Sequence, residues 1–570
     1  MSKQVTVPPF NRRRVLLSIA TTGLFSPFLI GGAAPPQQNH KHPTACRPPV
    51  PKADIIIGKR TDDILTFDPH ENSSSTAAEI IGNLYETLIT WDGTTYSPGL
   101  ANKWGNPSKD NLNWDFYLSP GHVFSTGNPV SPNDIIYSFK RLFIIGKAPA
   151  SALAPLGLTS ENIEKSVTFI APNQLTISLP TGAATHLLFP FLAAAAGSIL
   201  DINEVKSRLL VDPSSPPVKE FDWLDPRFDR GAGWLKSSSA GSGPFRLINA
   251  VRSDEIVLQT NCYHPSHAKA HRIVVRDIPD GREQIRLLEK GKLDAGWNAE
   301  RPDPLVANSR KVLSRKQTQS NQKLRDIRVP RANLLVLGMN IADASLSDPK
   351  VREAIKISID RTKLVSRQNA SRWSPQQHFC PSPLLPLPTD QSDDLAADRT
   401  RAKTLLDGTA TLSLAYAEGA ALSSVVSSLA KQLATVGIAI DLQPSVSGRA
   451  FFRGLAERNH QLALFSWSSD YLDPYSNAYA FCVSDDRART PAWYCQWQNP
   501  TIVEQALAAA VEPDPAKRTD LYLNLDHTLR IEGPYLFLLE ETVQVTTKTG
   551  IPMQVGVIDN FTRYPLSLHR

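Results

Sequence analysis

Two hydrophobic periods take turns along this chain, one of about two residues and one of about 3.6. Ala53 to Gly58 is a short apolar run ending in glycine, which predicts a buried strand. Ala77 to Ile89 carries Ile80, Ile81, Leu84 and Leu88 at helical spacing. Trp114 to Leu118 alternates as a strand and is stopped by Ser119-Pro120-Gly121. Pro132-Asn133-Asp134 opens a helix through Ile135, Ile136 and Phe139, and Gln174 to Leu179 is a strand closed by Pro180. Leu188 to Leu200 is apolar almost throughout but too short and too interrupted to span a bilayer, so it predicts a buried helix. Ser214 to Pro217 reads as a loop. Strands follow at Phe245 to Asn249, Glu255 to Gln259 and Arg272 to Asp277, then a helix over Gly281 to Gly291 and a strand over Leu334 to Met339. Asp348 to Leu364 predicts one amphipathic helix, N-capped near Ser347. Beyond it strands are predicted at Leu412 to Tyr416, Ile438 to Gln443, Leu462 to Trp467 and Tyr535 to Leu539. Helices are predicted at Ser423 to Leu433, Ala450 to Glu457, Thr501 to Ala510 and Pro515 to Glu532. Such alternation, with no fixed-period repeat, implies α/β domains with layered sheets.

Length and charge narrow the picture. With 570 residues the chain has room for two to four domains, at roughly 100–200 residues each. Lys3, Arg12, Arg13 and Arg14 precede its one long apolar stretch, and without these four the basic and acidic residues number 57 and 55. The folded part is thus nearly neutral, and charge gives no nucleic-acid footprint. Asn11-Arg12-Arg13-Arg14, the apolar stretch to about Gly32 and the small residues Gly31-Gly32-Ala33-Ala34 have the parts of an export signal. The arginine pair partly matches a twin-arginine signal, and an uncleaved N-terminal anchor is the alternative. Pro35 to Pro51, rich in Pro, His and Gln, reads as a linker. Cys46 within it follows Thr44-Ala45 as in a lipobox, with Pro43 where Leu is usual, which leaves its lipidation open.

Cysteines and catalytic motifs add mostly exclusions. Cys46, Cys262, Cys380, Cys482 and Cys495 form no CxxC pair. Cys482 and Cys495 enclose a short polar segment that a disulfide could close, the alternative being two buried thiols. HExxH, GxSxG and Walker A segments are absent, and Ser347-Asp348-Pro349-Lys350 reads as a helix start rather than a catalytic SxxK. No catalytic constellation assembles, so a binding protein is expected rather than an enzyme.

Five segments, in order, then resemble one family. Ser97-Pro98-Gly99-Leu100-Ala101 with Lys103-Trp104 is similar to a PGLAxxW segment. Trp114 to Leu118, Pro120 to Ser125, Pro129-Val130 and Asn133 to Phe139 resemble TFxLRxGVKFHDGxPVTAxDVVYSF. Gly241 to Phe245 resembles a GTGPY/F turn, Asp348 to Ile355 with Ile359-Asp360-Arg361 resembles DVRVRQAL and AIDR, and Asp514 to Arg518 with Leu521-Tyr522 resembles TDPEKRAxLYxE. Together they resemble the bacterial extracellular solute-binding proteins of the peptide-binding class, the soluble receptors of ABC importers. The resemblance implies a periplasmic-binding-protein-like α/β fold: two lobes joined by a hinge, plus an inserted subdomain, closing on a small solute. By analogy residues 1–34 are the signal peptide and 35–52 the linker. Lobe I takes 53–84 and 226–332 with a return at 541–570, the inserted subdomain 85–225, and lobe II 333–540, with hinge crossings near Asn333 and Glu541. The implied partners are a small solute, a peptide in the first instance, and the permease of an ABC transporter. A periplasmic monomer without cofactor, metal or nucleic acid is expected.

The implied site is Trp467-Ser468-Ser469-Asp470-Tyr471, where a strand ends in a turn. In the receptors it resembles, a Trp-x-x-Asp sets its carboxylate against the ligand's α-ammonium, so Asp470 would be that anion and Trp467 a cleft wall. Asn72, Ser73 and Ser74, after Phe67-Asp68-Pro69, and Glu540 and Glu541, near the second hinge strand, are further candidates. The resemblance also favours the Cys482–Cys495 disulfide. The loop Ala417-Glu418-Gly419-Ala420-Ala421-Leu422 departs from the pattern: it lacks the Arg that holds a ligand carboxylate in the dipeptide receptors. Either a peptide is held otherwise or the solute is not a peptide; the same family takes nickel chelates, haem, opines and oligosaccharides. Glu418 with Asp470 points to a cationic solute. The rival from another class, an exported hydrolase or sensor, lacks a nucleophile or metal with a positioned base.

Overall fold

The computed structural model describes residues 54–106, 112–180, 185–210, 228–250, 255–265, 272–299, 323–366, 370–385 and 397–565. The expected signal peptide, the linker with Cys46, and the Ser214 to Pro217 loop lie outside them. No helix among the described residues is long and apolar enough to cross a membrane.

Among the described residues the strands begin with β1 (Ile55–Lys59), β2 (Ile89–Trp91), β3 (Tyr96–Pro98), β4 (Ala101–Gly105), β5 (Asn113–Leu118), β6 (Val167–Ala171) and β7 (Gln174–Ser178). They continue with β8 (Phe245–Asn249), β9 (Glu255–Thr260), β10 (Arg272–Asp277), β11 (Ala295–Trp297) and β12 (Leu324–Met339). The last are β13 (Trp373–Pro375), β14 (Ala410–Ala417), β15 (Ile438–Ser445), β16 (Leu462–Ser468) and β17 (Tyr535–Lys548). Helices of eight residues or more are α1 (Ser75–Leu84), α2 (Pro132–Ile145), α3 (Gly281–Glu289), α4 (Pro349–Ser358) and α5 (Ala420–Ala434). After them come α6 (Gly448–Leu455), α7 (Tyr475–Cys482), α8 (Pro500–Val511) and α9 (Pro515–Glu532).

One eleven-stranded sheet spans the fold in the order β15-β14-β16-β12-β17-β11-β1-β10-β9-β8, with β13 also paired to β17. At one end β1 runs parallel to β10 and β11; at the other β14 runs parallel to β15 and β16. Only the long antiparallel pair β12 and β17 belongs to both halves. Its ladder is irregular between Pro330 and Leu334, across from Glu540 to Thr542, where a proline withholds a donor. A separate four-stranded sheet, β4-β5-β7-β6, inserts between β1 and β8 and packs with α2 into one apolar cluster that continues into β12, β16, α7 and α8. The insert is tied down by Arg141 of α2, fully buried and bidentate to the equally buried Asp68 at 2.8 and 2.6 Å.

Most predicted elements form where the periodicity puts them, because helix starts carry real caps. Side chains of Ser74, Asp280, Asp348, Ser447, Asn499 and Asp514 accept the first free amides of α1, α3, α4, α6, α8 and α9. Some expectations are corrected. The helix from Asp348 is capped by Asp348 itself rather than Ser347, and stops at Ser358; Arg361–Leu364 is a separate 3-10 turn capped by Asp360. α1 ends at Leu84, and Leu88 and Ile89 lead into β2. The apolar run from Leu188 is helical only to Ala193 and closes with a 3-10 turn at Ala195–Gly197.

The expected Cys482–Cys495 disulfide is absent: both are free, fully buried thiols. Cys482 ends α7, whereas the Cys495 sulfur is drawn onto β12. A Cβ built on Gly338 would lie 2.9 Å from that sulfur. Burial pushes the Cys495 thiol up to about 12. Cys380 is free as well, whereas Cys262 is disulfide-bonded.

Candidate functional site

β16 delivers the candidate segment. Strand alternation sets Ser466 and Ser468 on one face, and Phe465 and Trp467 on the other. Trp467 is half-buried, its ring 6.3 Å from that of Phe481, and its indole N–H is buried without a partner. Past the strand the chain is pinned at consecutive residues. The Ser469 N–H donates to the Ala332 carbonyl at 2.9 Å, and the Ser469 hydroxyl to Asn477 Oδ1 at 2.6 Å. The Asp470 N–H donates to Ser476 Oγ at 2.8 Å. These bonds leave Asp470 fixed in backbone and unpaired in side chain.

Two aspartates three residues apart have opposite fates. Asp473 is buried and takes Arg518 at 2.6 Å. The Asp470 carboxylate meets no hydrogen-bond donor and no cation among the described residues, yet its side chain remains open to water. Enclosure, with nothing to offset it, pushes the carboxyl up to about 6.

The other candidates are placed differently. Ser469 and Tyr471 are buried; the Tyr471 hydroxyl donates to the Ala152 carbonyl at 3.0 Å, tying this turn to the inserted segment. Asn72 and Ser74 close their own turn: Asn72 Oδ1 accepts the Ser74 N–H at 3.0 Å, and the Ser74 hydroxyl caps α1 and donates to Asp63 at 2.7 Å. Ser73 is exposed. Glu540 accepts from Gln376 Nε2 at 2.9 Å and from the Ser382 N–H and hydroxyl at 2.9 and 2.5 Å. Glu541 takes Arg372 and Asn333 at 2.9 and 2.5 Å. Burial would raise the Glu541 carboxyl, but Arg372 and Asn333 outweigh it and hold it below the usual range. Both glutamates are committed to protein partners. Glu418 is exposed. Its carbonyl accepts from Arg60 Nη1 at 2.7 Å, which brings a cation from the end of β1 to the loop that lacks one. Arg60 is also bidentate to Asp62, at 2.7 and 2.9 Å.

Sequence reading named Asn333 only as a hinge crossing and did not single out Arg60, Asp62 or Arg372. Asn333 and Arg372 sit in or beside strands with no special spacing, and Arg60 acts on a residue 358 positions away. A polar residue amid apolar ones at the start of Leu334 to Met339 was the available signal for Asn333. Among the described residues no cluster of three or more His, Cys, Asp or Glu could hold a metal ion.

Residues 95–488 match the family model described as bacterial extracellular solute-binding proteins, family 5 Middle. The chain belongs to the bacterial extracellular solute-binding proteins of family 5. Within family 5 it is similar to the probable D,D-dipeptide-binding periplasmic protein DdpA of Escherichia coli strain K12. The two are 23% identical over 508 residues, covering 87% of this chain and 90% of DdpA. The solved structure of the Escherichia coli murein tripeptide binding protein MppA superposes with a TM-score of 0.70 at 18% identity, over 90% of this chain and 98% of MppA. NikZ from Campylobacter jejuni, in complex with Ni(L-His), gives 0.67 at 17% identity, over 88% and 95%. The large mixed sheet and its covering helices match the fold of these family 5 structures.

Proposed function

We propose that this family 5 protein is the solute-capturing receptor of an ABC importer, and that Asp470 receives a cationic group of the solute, the α-ammonium of a peptide. The observation that carries this reading is the carboxylate of Asp470, which meets no donor or cation among the described residues at the end of a pinned strand. An ionised solute group would supply the missing partner through a charged hydrogen bond of about 1.5–3 kcal/mol. Delivery to a permease follows from the family and from relatives whose names state peptide binding. Export to the periplasm rests on the N-terminal sequence and on those relatives; an uncleaved N-terminal anchor is the alternative reading of the same sequence. The receptor acts without a catalytic step.

A second reading, a non-peptide cationic solute in the same cleft, is favoured by one observation. The loop at Glu418 has no cation of its own, and the Arg60 that reaches it is already paired with Asp62.

The test is calorimetry with free di- and tripeptides and their N-acetylated forms. Asp470→Asn should weaken binding of free-amine peptides at least tenfold, about 1.4 kcal/mol, and leave the fold intact. N-acetylation should cost the wild type a similar factor. Unchanged affinity in Asp470→Asn removes Asp470 from the site. Native mass spectrometry of protein taken from its own periplasm separates the readings: peptide masses support the first, a single non-peptide mass the second.

A further inference from the structure

The chain holds five cysteines, and their states leave one pair. Cys380, Cys482 and Cys495 are free, fully buried thiols, whereas Cys262 is disulfide-bonded. Within a single chain the sulfur bonded to Cys262 belongs to a cysteine that is not free, and Cys46 is the one that remains. The sequence alone leaves the lipidation of Cys46 open.

The register of the sheet agrees with that pairing. β9 runs antiparallel to β10, and β10 parallel to β1, so the chain leaves β9 at the same end of the sheet where it enters β1. Ile55 is registered with Ile273, and Ile273 with Leu258, which sets Leu258 two strand spacings, about 10 Å, from Ile55. Cys262 follows Leu258 by four residues, at most about 14 Å of chain, and Cys46 precedes Ile55 by nine, a reach of about 30 Å. A bond between them needs no rearrangement of the sheet. Both flanks are fixed. Arg272 of β10 is bidentate to Asp54, just ahead of β1, at 2.9 and 2.6 Å. Past β9, Asn261 Nδ2 donates to the Gly243 carbonyl at 2.9 Å and Asn261 Oδ1 accepts the Tyr263 N–H at 3.0 Å. Cys262, half-buried between them, sits on a pinned turn.

We propose that Cys46 and Cys262 form the structural disulfide of this protein, and that Cys46 is therefore not a lipid-attachment residue. A diacylglyceryl group is carried on a cysteine sulfur through a thioether, and one sulfur cannot hold both bonds. The disulfide stitches the chain ahead of β1 to the turn after β9, across β10. Its formation breaks two S–H bonds and makes one S–S bond; two protons go to water, and two electrons to the disulfide of a thiol-oxidising protein, through a mixed disulfide. Such oxidants belong to the compartment that the export signal points to. The other three thiols stay reduced there because they are buried, and burial raises each above the usual thiol range, away from the reactive thiolate.

The experiment takes the mature protein from cells expressing the full chain. It is alkylated with iodoacetamide in denaturant, with and without prior reduction, and its intact mass is read. Three alkyl groups are expected without reduction and five after it. Digestion should yield one linked pair of peptides, holding Cys46 and Cys262, that separates on reduction. Cys46→Ser should add a fourth alkyl group, at Cys262, to the unreduced protein. Five groups without reduction overturn the proposal, as does a link between any other pair of cysteines or between two copies of the chain. A mature chain that begins after Cys46 overturns it too, and so does a diacylglyceryl mass on Cys46 with partition of the protein into a detergent phase.

Discussion

Asp470 and Asp473 have the same chemistry and lie three residues apart, yet one is matched with Arg518 and the other is left bare. Their difference predicts a pH dependence. The Asp470 carboxyl sits at about 6, above its ordinary value, so the solute-free protein carries it protonated below that pH. Binding an ammonium requires the ionised form and must release that proton. Affinity for a free-amine peptide should therefore fall as pH drops through 6, approaching tenfold per pH unit, and Asp470→Asn should flatten this limb. Calorimetry between pH 4.5 and 7.5 checks it; an identical slope in both proteins assigns the proton elsewhere. Asp470 was legible as a candidate from its turn and its resemblance. Its neighbours were not, because Ser469, Tyr471, Glu540 and Glu541 read as equally polar while the fold assigns each an internal partner.

At the scale of elements, strands with a polar outer face were easy to read. β9 alternates cleanly, and the boundaries of β8, β9 and β10 fall within a residue of the pattern. α7 was missed because all of Tyr475–Cys482 is buried, so no polar stripe marks its period. β17 was cut short at Leu539, since Glu540 to Lys548 looks like a surface strand; between β12 and β11 its threonines are buried instead. α9 shows how an element end is secured from a distance. Lys356 of α4 donates to the carbonyls of Arg530, Ile531 and Gly533 at 2.8, 2.9 and 2.5 Å. Burial, the largest influence, pushes its ammonium down to about 7. Lys356→Met should leave these carbonyls unpaired and cost about 1–3 kcal/mol in chemical denaturation, without altering solute affinity. A loss confined to affinity would contradict a purely structural cap.

Across the whole molecule, the turn after β1 reaches the far half of the sheet. Arg60 donates to the Glu418 carbonyl, the Gly448 N–H donates to Asp62 Oδ2 at 3.0 Å, and Arg449 donates to the Ile64 carbonyl at 2.7 Å. These bonds join the segment after β1 to the segments that follow β14 and β15, in the other half of the sheet. Asp62→Ala removes one of them and releases Arg60 from its carboxylate. The expected result is solute affinity lowered about fivefold through faster release, with a larger radius of gyration by solution scattering and a nearly unchanged melting temperature. An unchanged release rate would mean that these bonds contribute nothing to closure. By itself the sequence determined the kind of fold, most of its helices and strands, and the family, and it proposed Asp470 as a candidate, because periodicity, caps and local motifs are short-range properties of the chain. Only the tertiary structure decided which charges are already neutralised, that Cys482 and Cys495 remain free thiols, and that Arg60 reaches the loop at Glu418. Burial and partnership depend on residues hundreds of positions apart, and no local pattern records them.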